Sequence, residues 1–332
     1  MTVLVTGGAG YIGSHMVHEL ADAGEPVVVL DNLSTGFRFL IPPSVPFIAG
    51  STGDRPLVAE IITRHRVTAI IHFAASIVVP ESVSDPLGYY SNNTMNTCAL
   101  LDVAIKAGVR EFIFSSTAAV YGNARDVPVR EDAPTAPISP YGTSKLMSEI
   151  MLHDAGTAHG LRFVILRYFN VAGADPRLRT GQATPAATHL IKVACETAIG
   201  KRPKMTVFGT DYPTPDGTCI RDYIHVSDLA QAHSAALGYL RSGGASATFN
   251  CGYGRGASVL EVIGAVRRAS GYDFPVEVSA RRQGDPPALV ANVERIHAAL
   301  PWRPRFQNLD TIVSHALAWE KQLANRRKSA VA

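Results

Sequence analysis

The chain has 332 residues, enough for one large domain or two ordinary ones, each with a real hydrophobic core. Hydrophobic residues make up 46% and charged residues 18% of the sequence, proportions typical of a globular protein in water. A net charge of +3 without long Lys/Arg runs argues against nucleic-acid binding, and no apolar run reaches the ~18 residues of a membrane span.

The cysteine pattern bears on metals and on the cellular compartment. Cys98, Cys195, Cys219 and Cys251 stand far apart, and no CxxC pair occurs. This spacing favours neither a zinc site nor a disulfide framework, so we expect no metal and a reducing environment. The first residues lack a charged region followed by an apolar one, so no signal peptide is predicted. We therefore expect a cytoplasmic protein.

The first half of the chain alternates short apolar runs with helical stretches. Strands are predicted over 2–6, 26–31, 68–74, 110–117 and 162–170, and helices over 11–24, 92–108 and 141–158. Apolar strands separated by helices are typical of a parallel sheet that is covered on both faces. The predicted fold class is therefore α/β, with a doubly wound parallel sheet of the Rossmann kind.

The composition of the sequence changes after Val171, where glycine and proline become frequent, as in "AGADPRLRTGQATP" and "GTDYPTPDG". Irregular loops on a rigid scaffold commonly carry a substrate site. We predict a cofactor-binding domain over 1–170 and a smaller α/β lobe for substrate over 171–332. Residues 221–250, which begin as a strand and a helix over 221–240, are expected to return to the main sheet.

A glycine-rich segment, "VTGGAGYIGSH", follows the first strand and opens the first helix. It fits G-x-G-x-x-G as Gly8, Gly10 and Gly13, and a wider pattern that begins at Gly7. Such glycines allow a tight turn and the close approach of a pyrophosphate, which then meets the positive end of the helix. The strand–turn–helix context is what makes this weak motif informative.

Asp31 ends the second strand, 18 residues after Gly13. A carboxylate at this point accepts hydrogen bonds from an adenosine ribose and would repel a 2′-phosphate, so NAD is predicted rather than NADP. The alternative is a glycine turn unrelated to nucleotides, with Asp31 serving as a cap. The glycine turn and Asp31 occur together at the expected spacing, which favours a nucleotide site over this alternative.

The stretch "SPYGTSKL" places Tyr141 and Lys145 one helical turn apart. An alcohol that loses a hydride to nicotinamide must also lose its hydroxyl proton, and Tyr141 can take that proton if a nearby ammonium favours phenolate. The strand end "FSSTAAVYG" offers Ser115, Ser116 and Thr117 to bind the reacting oxygen. A Tyr-x-x-x-Lys match alone is common and could be an ordinary helix start, but the three features together favour a function.

Together these motifs resemble the extended short-chain dehydrogenase/reductases and, within them, the UDP-glucose 4-epimerase family. Further shared stretches are "LDNLS", "IHFAA", "PLGYYSNN", "LRYFNVAGA", "FGTDYPTPDGTCIRDYIHV" and "GDPPALVAN", which together span positions 3 to about 292. The resemblance implies the interconversion of UDP-glucose and UDP-galactose through a transient 4-keto sugar with tightly bound NAD. It also implies a homodimer that packs through the helices at 92–108 and 142–158.

The resemblance assigns roles to individual residues. Tyr141 corresponds to the general base, Lys145 to its pKa-tuning and ribose-binding partner, and Thr117 to the hydroxyl that steadies the substrate. The implied cofactor positions are Gly7, Gly10, Tyr11, Ile12, Gly13, Asp31, Asn32, Phe73, Ala74, Asn92, Ser115, Tyr141, Lys145 and Tyr168. The implied substrate positions are Thr117, Asn170, His189, Leu190, Phe208, Arg221, Tyr223, Arg282, Asp285 and Leu289. For Arg221 and Asp285 a plain loop ion pair is the alternative.

Sibling chemistries differ in what they require. A dehydratase or a decarboxylating relative needs a carboxylate beside Thr117, where this chain has Ala118 and Ala119. The UDP-binding motifs disfavour a net alcohol dehydrogenase. A 4-epimerase of UDP-N-acetylhexosamines or UDP-pentoses stays open, because Leu289 stands where relatives restricted to glucose and galactose often carry tyrosine. A non-catalytic NAD-binding sensor is a more distant alternative, since such a protein should have lost the tyrosine or the lysine.

Overall fold

The computed structural model describes residues 1–185, 187–282 and 284–329, with side chains up to 326. The last three residues of the lobe predicted over 171–332 lie outside this range. The strands are β1 (Thr2–Thr6), β2 (Val27–Asp31), β3 (Phe47–Ala49), β4 (Val67–His72), β5 (Glu111–Thr117), β6 (Arg162–Tyr168), β7 (Asn170–Ala172), β8 (Met205–Phe208), β9 (Ile220–Arg221), β10 (Tyr223–His225), β11 (Ala247–Cys251), β12 (Ala257–Ser258), β13 (Val276–Ser279) and β14 (Ala288–Leu289). The helices are α1 (Tyr11–Asp22), α2 (Arg55–His65), α3 (Val79–Ser84), α4 (Pro86–Tyr89), α5 (Asn96–Lys106), α6 (Pro140–His159), α7 (Leu190–Ala198), α8 (Val226–Arg241), α9 (Val259–Ser270), α10 (Glu294–Ala299) and α11 (Leu309–Ser329).

A parallel sheet in the order β11-β6-β5-β4-β1-β2-β3 forms the centre of the described structure. The chain starts at β1, proceeds outward to β3, and then crosses back to β4 and onward to β11. This reversal beside β1 leaves a crevice at the carboxyl ends of the strands, which is where ligands bind in such sheets. The predicted α/β fold with a doubly wound parallel sheet is confirmed.

Both faces of the central strands of this sheet are buried, which explains why these strands are rich in apolar residues on both sides. Val3 and Val5 of β1 join the core beneath α1 and α8, whereas Leu4 joins the opposite core beneath α2, α5 and α6. Val29 and Leu30 of β2 divide between the two cores in the same way. Because successive side chains of a strand point to opposite faces, each strand contributes residues to both cores.

The structure differs from the predicted elements at several points. The strand predicted at the start of 221–240 pairs with β7 as β10, and the strand that enters the main sheet is β11, beside β6. The helix predicted over 92–108 begins as a π-helical segment at Tyr90–Met95, before α5. Residues 55–65 form α2, a helix absent from the predicted elements; Asp54 caps it by accepting from Leu57 N–H.

The remainder of the chain builds a second core. Helices α7, α9 and α11 bury it together with short strands; its residues include Ile191, Val207, Val262 and Val313. Small sheets of β13 with β8, and of β12, β9 and β14, lie beside these helices. In the three described ranges, no helix combines the length and apolar character that crossing a membrane requires.

Candidate active site

The glycine turn leaves the start of α1 open. Gly10 is the N-terminal cap of α1, and no side chain caps the helix, so the first-turn N–H groups point outward beside the positive end of the dipole. Gly7 has φ +69°, and a Cβ there would lie 2.6 Å from the nitrogen of Ala74. Only glycine fits this approach between the turn after β1 and the end of β4.

Asp31 already holds two backbone groups. One carboxylate oxygen accepts from Ala9 N–H at 2.9 Å and the other from Leu33 N–H at 2.7 Å. Burial raises the pKa of Asp31, and these two bonds oppose that shift. Asp31 therefore does act as a cap, which was the alternative role considered for it. Each of its carboxylate oxygens also keeps a further lone pair that can accept from a ribose hydroxyl.

The start of α6 fixes Tyr141. The Ser139 side chain caps the helix by accepting from Gly142 N–H at 3.2 Å, and Pro140 occupies the first helical position. Tyr141 is only 7% exposed, directly after these two residues. The "SPYG" sequence thus sets both the helix start and the place of the phenol.

Thr117 is the hydroxyl partner of Tyr141. It ends β5, and its Oγ1 accepts from Ala119 N–H at 3.1 Å, which leaves the hydroxyl proton free for the phenol. Burial raises the pKa of Tyr141, and the hydrogen bond from Thr117 opposes that rise. The structure therefore brings together the first two of the predicted catalytic side chains.

Lys145 completes the group in a way that the sequence did not predict. Its Nζ donates to the carbonyl oxygen of Ser115 at 2.9 Å and lies 4.9 Å from the ring centre of Phe114. Burial lowers the pKa of Lys145 to about 8, partly opposed by Glu149. Burial raises the pKa of Tyr141 in this structure, and the role of Lys145 in favouring the phenolate stays a prediction.

Other predicted cofactor residues line the same carboxyl edge. Phe73 and Ala74 follow β4, Ser115 lies near the end of β5, and Tyr168 ends β6. Asn92 donates to the Ser76 hydroxyl at 3.0 Å, in the segment that follows β4.

Five more positions complete the predicted cofactor set. Gly10, Tyr11, Ile12 and Gly13 form the turn and the start of α1. Asn32 lies just beyond Asp31 and is exposed. All five therefore follow the carboxyl ends of β1 and β2, but they remain predictions as ligand contacts.

Four predicted substrate residues line one cavity. Asn170, His189, Leu190 and Tyr223 surround it together with Tyr11, a predicted cofactor residue. His189 Nδ1 lies 2.9 Å from the Gln182 amide nitrogen, which donates to it, so the other ring nitrogen carries the proton. Burial lowers the pKa of His189, which keeps the imidazole neutral.

Five further predicted substrate residues contact one another: Arg282 with Phe208, and Arg221 with Asp285 and Leu289. The Arg282 guanidinium carbon lies 3.7 Å from the ring centre of Phe208. Arg221 pairs with Asp285 at 3.6 Å and donates to the Pro286 carbonyl at 2.8 Å. Leu289 is the strand partner of Arg221. The alternative of a plain ion pair between Arg221 and Asp285 is therefore present in the structure.

The chain is similar to known proteins over nearly its whole length. The NAD dependent epimerase/dehydratase family matches residues 3–252. The chain belongs to this family. A UDP-glucose 4-epimerase from Azospirillum brasilense is 61% identical over 97% of this chain and 92% of its own length. The resemblance inferred from the motifs is confirmed.

Solved structures agree with this family. A UDP-glucose 4-epimerase from Brucella ovis in complex with NAD is 44% identical and superposes with a TM-score of 0.93, covering 96% of this chain and 97% of its own. A UDP-Glc/GlcNAc 4-epimerase from Campylobacter jejuni is 49% identical with a TM-score of 0.85, covering 97% of this chain and 99% of its own.

The glycine turn of this chain has a geometry that fits NAD, the cofactor of the family. A Cβ at Gly13 would lie 2.8 Å from the Gly7 carbonyl carbon and from the Gly8 Cα, so the turn closes only with glycine. The uncapped first turn of α1 and the spare lone pairs of Asp31 supply donors for phosphate and acceptors for a ribose.

Sequence reasoning missed several residues that hold this site together. Asp222, between Arg221 and Tyr223, accepts from the N–H groups of Tyr253, Gly254 and Ala291 at 2.9, 2.9 and 3.2 Å. Its position in the sequence between two predicted substrate residues, Arg221 and Tyr223, was the signal that could have identified it.

Asn93 and an ion pair were also missed. The Asn93 amide bonds both backbone groups of Ser76 and the Ser144 hydroxyl of α6 at 2.8–3.0 Å. Glu149 and Arg167 form a buried pair with Nη2 and Oε2 2.6 Å apart, and the Ser116 hydroxyl donates to the same carboxylate. The position of Glu149 one helical turn after Lys145 was the signal in the sequence that could have pointed to this ion pair.

Proposed function

We propose that the protein is an NAD-dependent UDP-glucose 4-epimerase that interconverts UDP-glucose and UDP-galactose. The observation that carries the proposal is the convergence of Tyr141, Thr117 and Lys145 at the end of β5, on the same carboxyl edge of the sheet as the glycine turn after β1. The high identity to a UDP-glucose 4-epimerase over nearly the whole chain supports the same substrate pair.

The chain's own residues would hold NAD along the carboxyl edge of the sheet. The turn from Gly7 to Gly13 would bind the pyrophosphate, Asp31 the adenosine ribose, and Lys145 the nicotinamide ribose. Bound NAD supplies a hydride acceptor that returns the hydride to the sugar, and its nicotinamide brings a positive charge to the pocket.

The proton chemistry belongs to Tyr141. In this proposal its Oη takes the proton of the sugar C4 hydroxyl and later returns it, while the Thr117 hydroxyl stabilises the phenolate. Burial opposes phenolate, so positive charge must help. The Lys145 ammonium, held against the Ser115 carbonyl, provides part of that charge.

Inversion requires that the sugar turn over while its carrier stays bound. We propose that the UDP group is bound by the predicted substrate residues between Asn170 and Leu289. Arginines among them can hold the diphosphate, and an aromatic ring can stack on the uracil. On this proposal residues 1–170 with 221–250 form the cofactor domain, and 171–332 otherwise form the UDP-sugar lobe. The core of α7, α9 and α11 supports that division.

A second candidate, epimerisation of UDP-N-acetylhexosamines, has one specific observation in its favour. Leu289 offers no hydroxyl and less bulk than tyrosine at the strand position paired with Arg221. A relative that is 49% identical is named as a UDP-Glc/GlcNAc 4-epimerase. We expect the N-acetylated pair as a side activity.

The decisive experiment is an assay of the purified protein with a panel of UDP-sugars. Conversion of UDP-galactose to UDP-glucose without net NADH release supports the proposal. Stoichiometric NADH release indicates a dehydrogenase instead. NAD binding without turnover of any UDP-hexose, UDP-pentose or N-acetylated sugar indicates a sensor.

We further propose that two copies pair through the helices at 92–108 and 142–158, on the face where Tyr90–Met95 lies beside α6. Met95, Met147 and Ile150 are 67%, 41% and 53% exposed there, unusually open for large apolar side chains. Sedimentation should give a dimer for the wild type and a monomer for Met147→Asp with Ile150→Asp. A wild-type monomer would contradict the pairing.

A cytoplasmic location is the last part of this proposal. Cys98, Cys195, Cys219 and Cys251 are all free thiols in the structure, as suits a reducing compartment. Cell fractionation with antibody detection tests it, and recovery of the protein outside the cytoplasm would contradict it.

A further inference from the structure

A buried histidine on α8 contacts three of the predicted cofactor residues. His233 is fully buried, and its Nε2 lies 2.8 Å from the Ser115 hydroxyl oxygen. The two residues are 118 positions apart in the chain. The ring also lies 4.8 Å, centre to centre, from Phe73 and 6.3 Å from Tyr168. Helix α8 thus reaches the ends of β4, β5 and β6 with one side chain.

The direction of the hydrogen bond follows from the other ring nitrogen. His233 Nδ1 lies 2.8 Å from the carbonyl oxygen of Leu229, which can only accept, so Nδ1 carries the proton. Burial lowers the pKa of His233 to about 4, so the ring is neutral near pH 7. Nε2 is therefore an acceptor, and the Ser115 hydroxyl donates to it.

Fixing the Ser115 proton has a consequence for Tyr168. Once the Ser115 hydroxyl donates to His233, its oxygen offers only lone pairs to the neighbouring Tyr168 hydroxyl, so Ser115 can bind that hydroxyl only as an acceptor. The Ser115 carbonyl at the same time accepts from Lys145. One serine thus connects His233 to both Tyr168 and Lys145.

We propose that His233 is a positioning residue of the cofactor pocket, which orients the Tyr168 hydroxyl through Ser115 and supports the Phe73 ring. It need not touch substrate or cofactor itself. The inference rests on the proposed function, because it assigns the pocket at Phe73, Ser115 and Tyr168 to NAD. It predicts that His233 controls how tightly NAD is retained.

Two substitutions separate the hydrogen bond from the packing. His233→Phe keeps a ring against Phe73 but removes the acceptor, whereas His233→Gln keeps an amide oxygen near the Nε2 position. The readout is the rate at which NAD leaves the purified protein during dialysis, measured by cofactor content. We expect about tenfold faster loss for His233→Phe, the effect of one buried hydrogen bond, and a smaller change for His233→Gln.

A double substitution tests whether the effect runs through Ser115. Ser115→Ala removes the link, so adding His233→Phe to it should change NAD loss little further, a non-additive result. UDP affinity, measured by calorimetry, should stay within about twofold throughout, and melting temperatures identify variants that fail to fold. If folded His233→Phe retains NAD like the wild type, or if the two effects simply add, the positioning role is wrong. A wild type that lacks NAD or does not epimerise would instead contradict the proposed function.

Discussion

Lys145 Nζ donates a 2.9 Å hydrogen bond to the carbonyl oxygen of Ser115, and this bond ties the helix that carries Tyr141 to the strand that ends in Thr117. The nitrogen is deeply buried, and burial lowers the pKa of Lys145 to about 8. The side chain therefore changes charge within the range of pH in which such enzymes are assayed. Its titration can be measured.

The free energy of unfolding should depend on pH through Lys145. An unfolded lysine has a pKa near ~10.4, so between about pH 8 and pH 10 the unfolded chain binds more protons and stability rises with pH. Below about pH 8 the cost of burying the ammonium is present in full. We expect the wild type to gain stability over Lys145→Met from pH 7 to pH 10 in guanidinium unfolding.

A matched control for this titration is Lys321→Met, at an exposed position of α11. Its stability should follow the wild type in parallel across the same pH range. A constant difference between the wild type and Lys145→Met would show that the amine does not titrate near pH 8 in the folded protein.

Tyr141→Phe tests the proton-transfer step. The ring stays, so the buried site at the start of α6 keeps its packing, but no Oη remains to take the sugar proton. We expect a fall in epimerisation of about a hundredfold to ten-thousandfold, with UDP and NAD still bound. Turnover of UDP-galactose and calorimetric UDP binding measure the two effects. Near-normal turnover would assign the base elsewhere.

Glu149→Gln should destabilise the fold. Arg167 Nε lies 3.1 Å from both carboxylate oxygens of Glu149, and the pair is almost fully buried. Removing one charge leaves the guanidinium without its partner, so we expect a loss of about 3 kcal/mol in unfolding free energy. Glu277→Gln breaks an exposed pair with Lys204 and should cost less than about 1 kcal/mol. Equal losses in the two variants would refute this ranking.

Gly13→Ala should release the cofactor. Its Cβ would lie 2.8 Å from Gly8 Cα inside the turn, which must open to make room. We expect the purified variant to lose most of its NAD, measured by extraction. Gly238→Ala in α8 has nothing within 4 Å of the added methyl and should stabilise the protein by about 0.5–1 kcal/mol. NAD content equal to the wild type in Gly13→Ala would contradict the tight turn.

The sequence predicts the central sheet well because its strands are buried on both faces. Strands β1, β2, β4, β5 and β6 therefore appear as apolar runs, and their boundaries agree with the structure within two residues. The short strand β3 is half-exposed and gives no such run. Helix α2 was detectable, since Asp54 and Pro56 mark its start and Val58, Ile61 and Ile62 repeat along one face.

The candidate site is less predictable where partners are distant in sequence. The spacing of Tyr141 and Lys145 indicates a shared helix face, but it does not indicate that Nζ bonds a carbonyl of β5. That choice follows from burial, because a buried ammonium needs an acceptor. The contact of His233 with Ser115 arises in the same way, from a helix that crosses beneath the strand ends.

Substrate choice should respond to Leu289. This residue is half-buried, pairs with Arg221 and packs against the small core that contains Phe169 and Ala291. A tyrosine there adds volume and a hydroxyl, so Leu289→Tyr should lower kcat/KM for the N-acetylated UDP-sugars relative to UDP-galactose by about tenfold or more. Leu289→Met, of similar volume, should leave the ratio near the wild-type value. An unchanged ratio in Leu289→Tyr would mean that another residue sets the size limit.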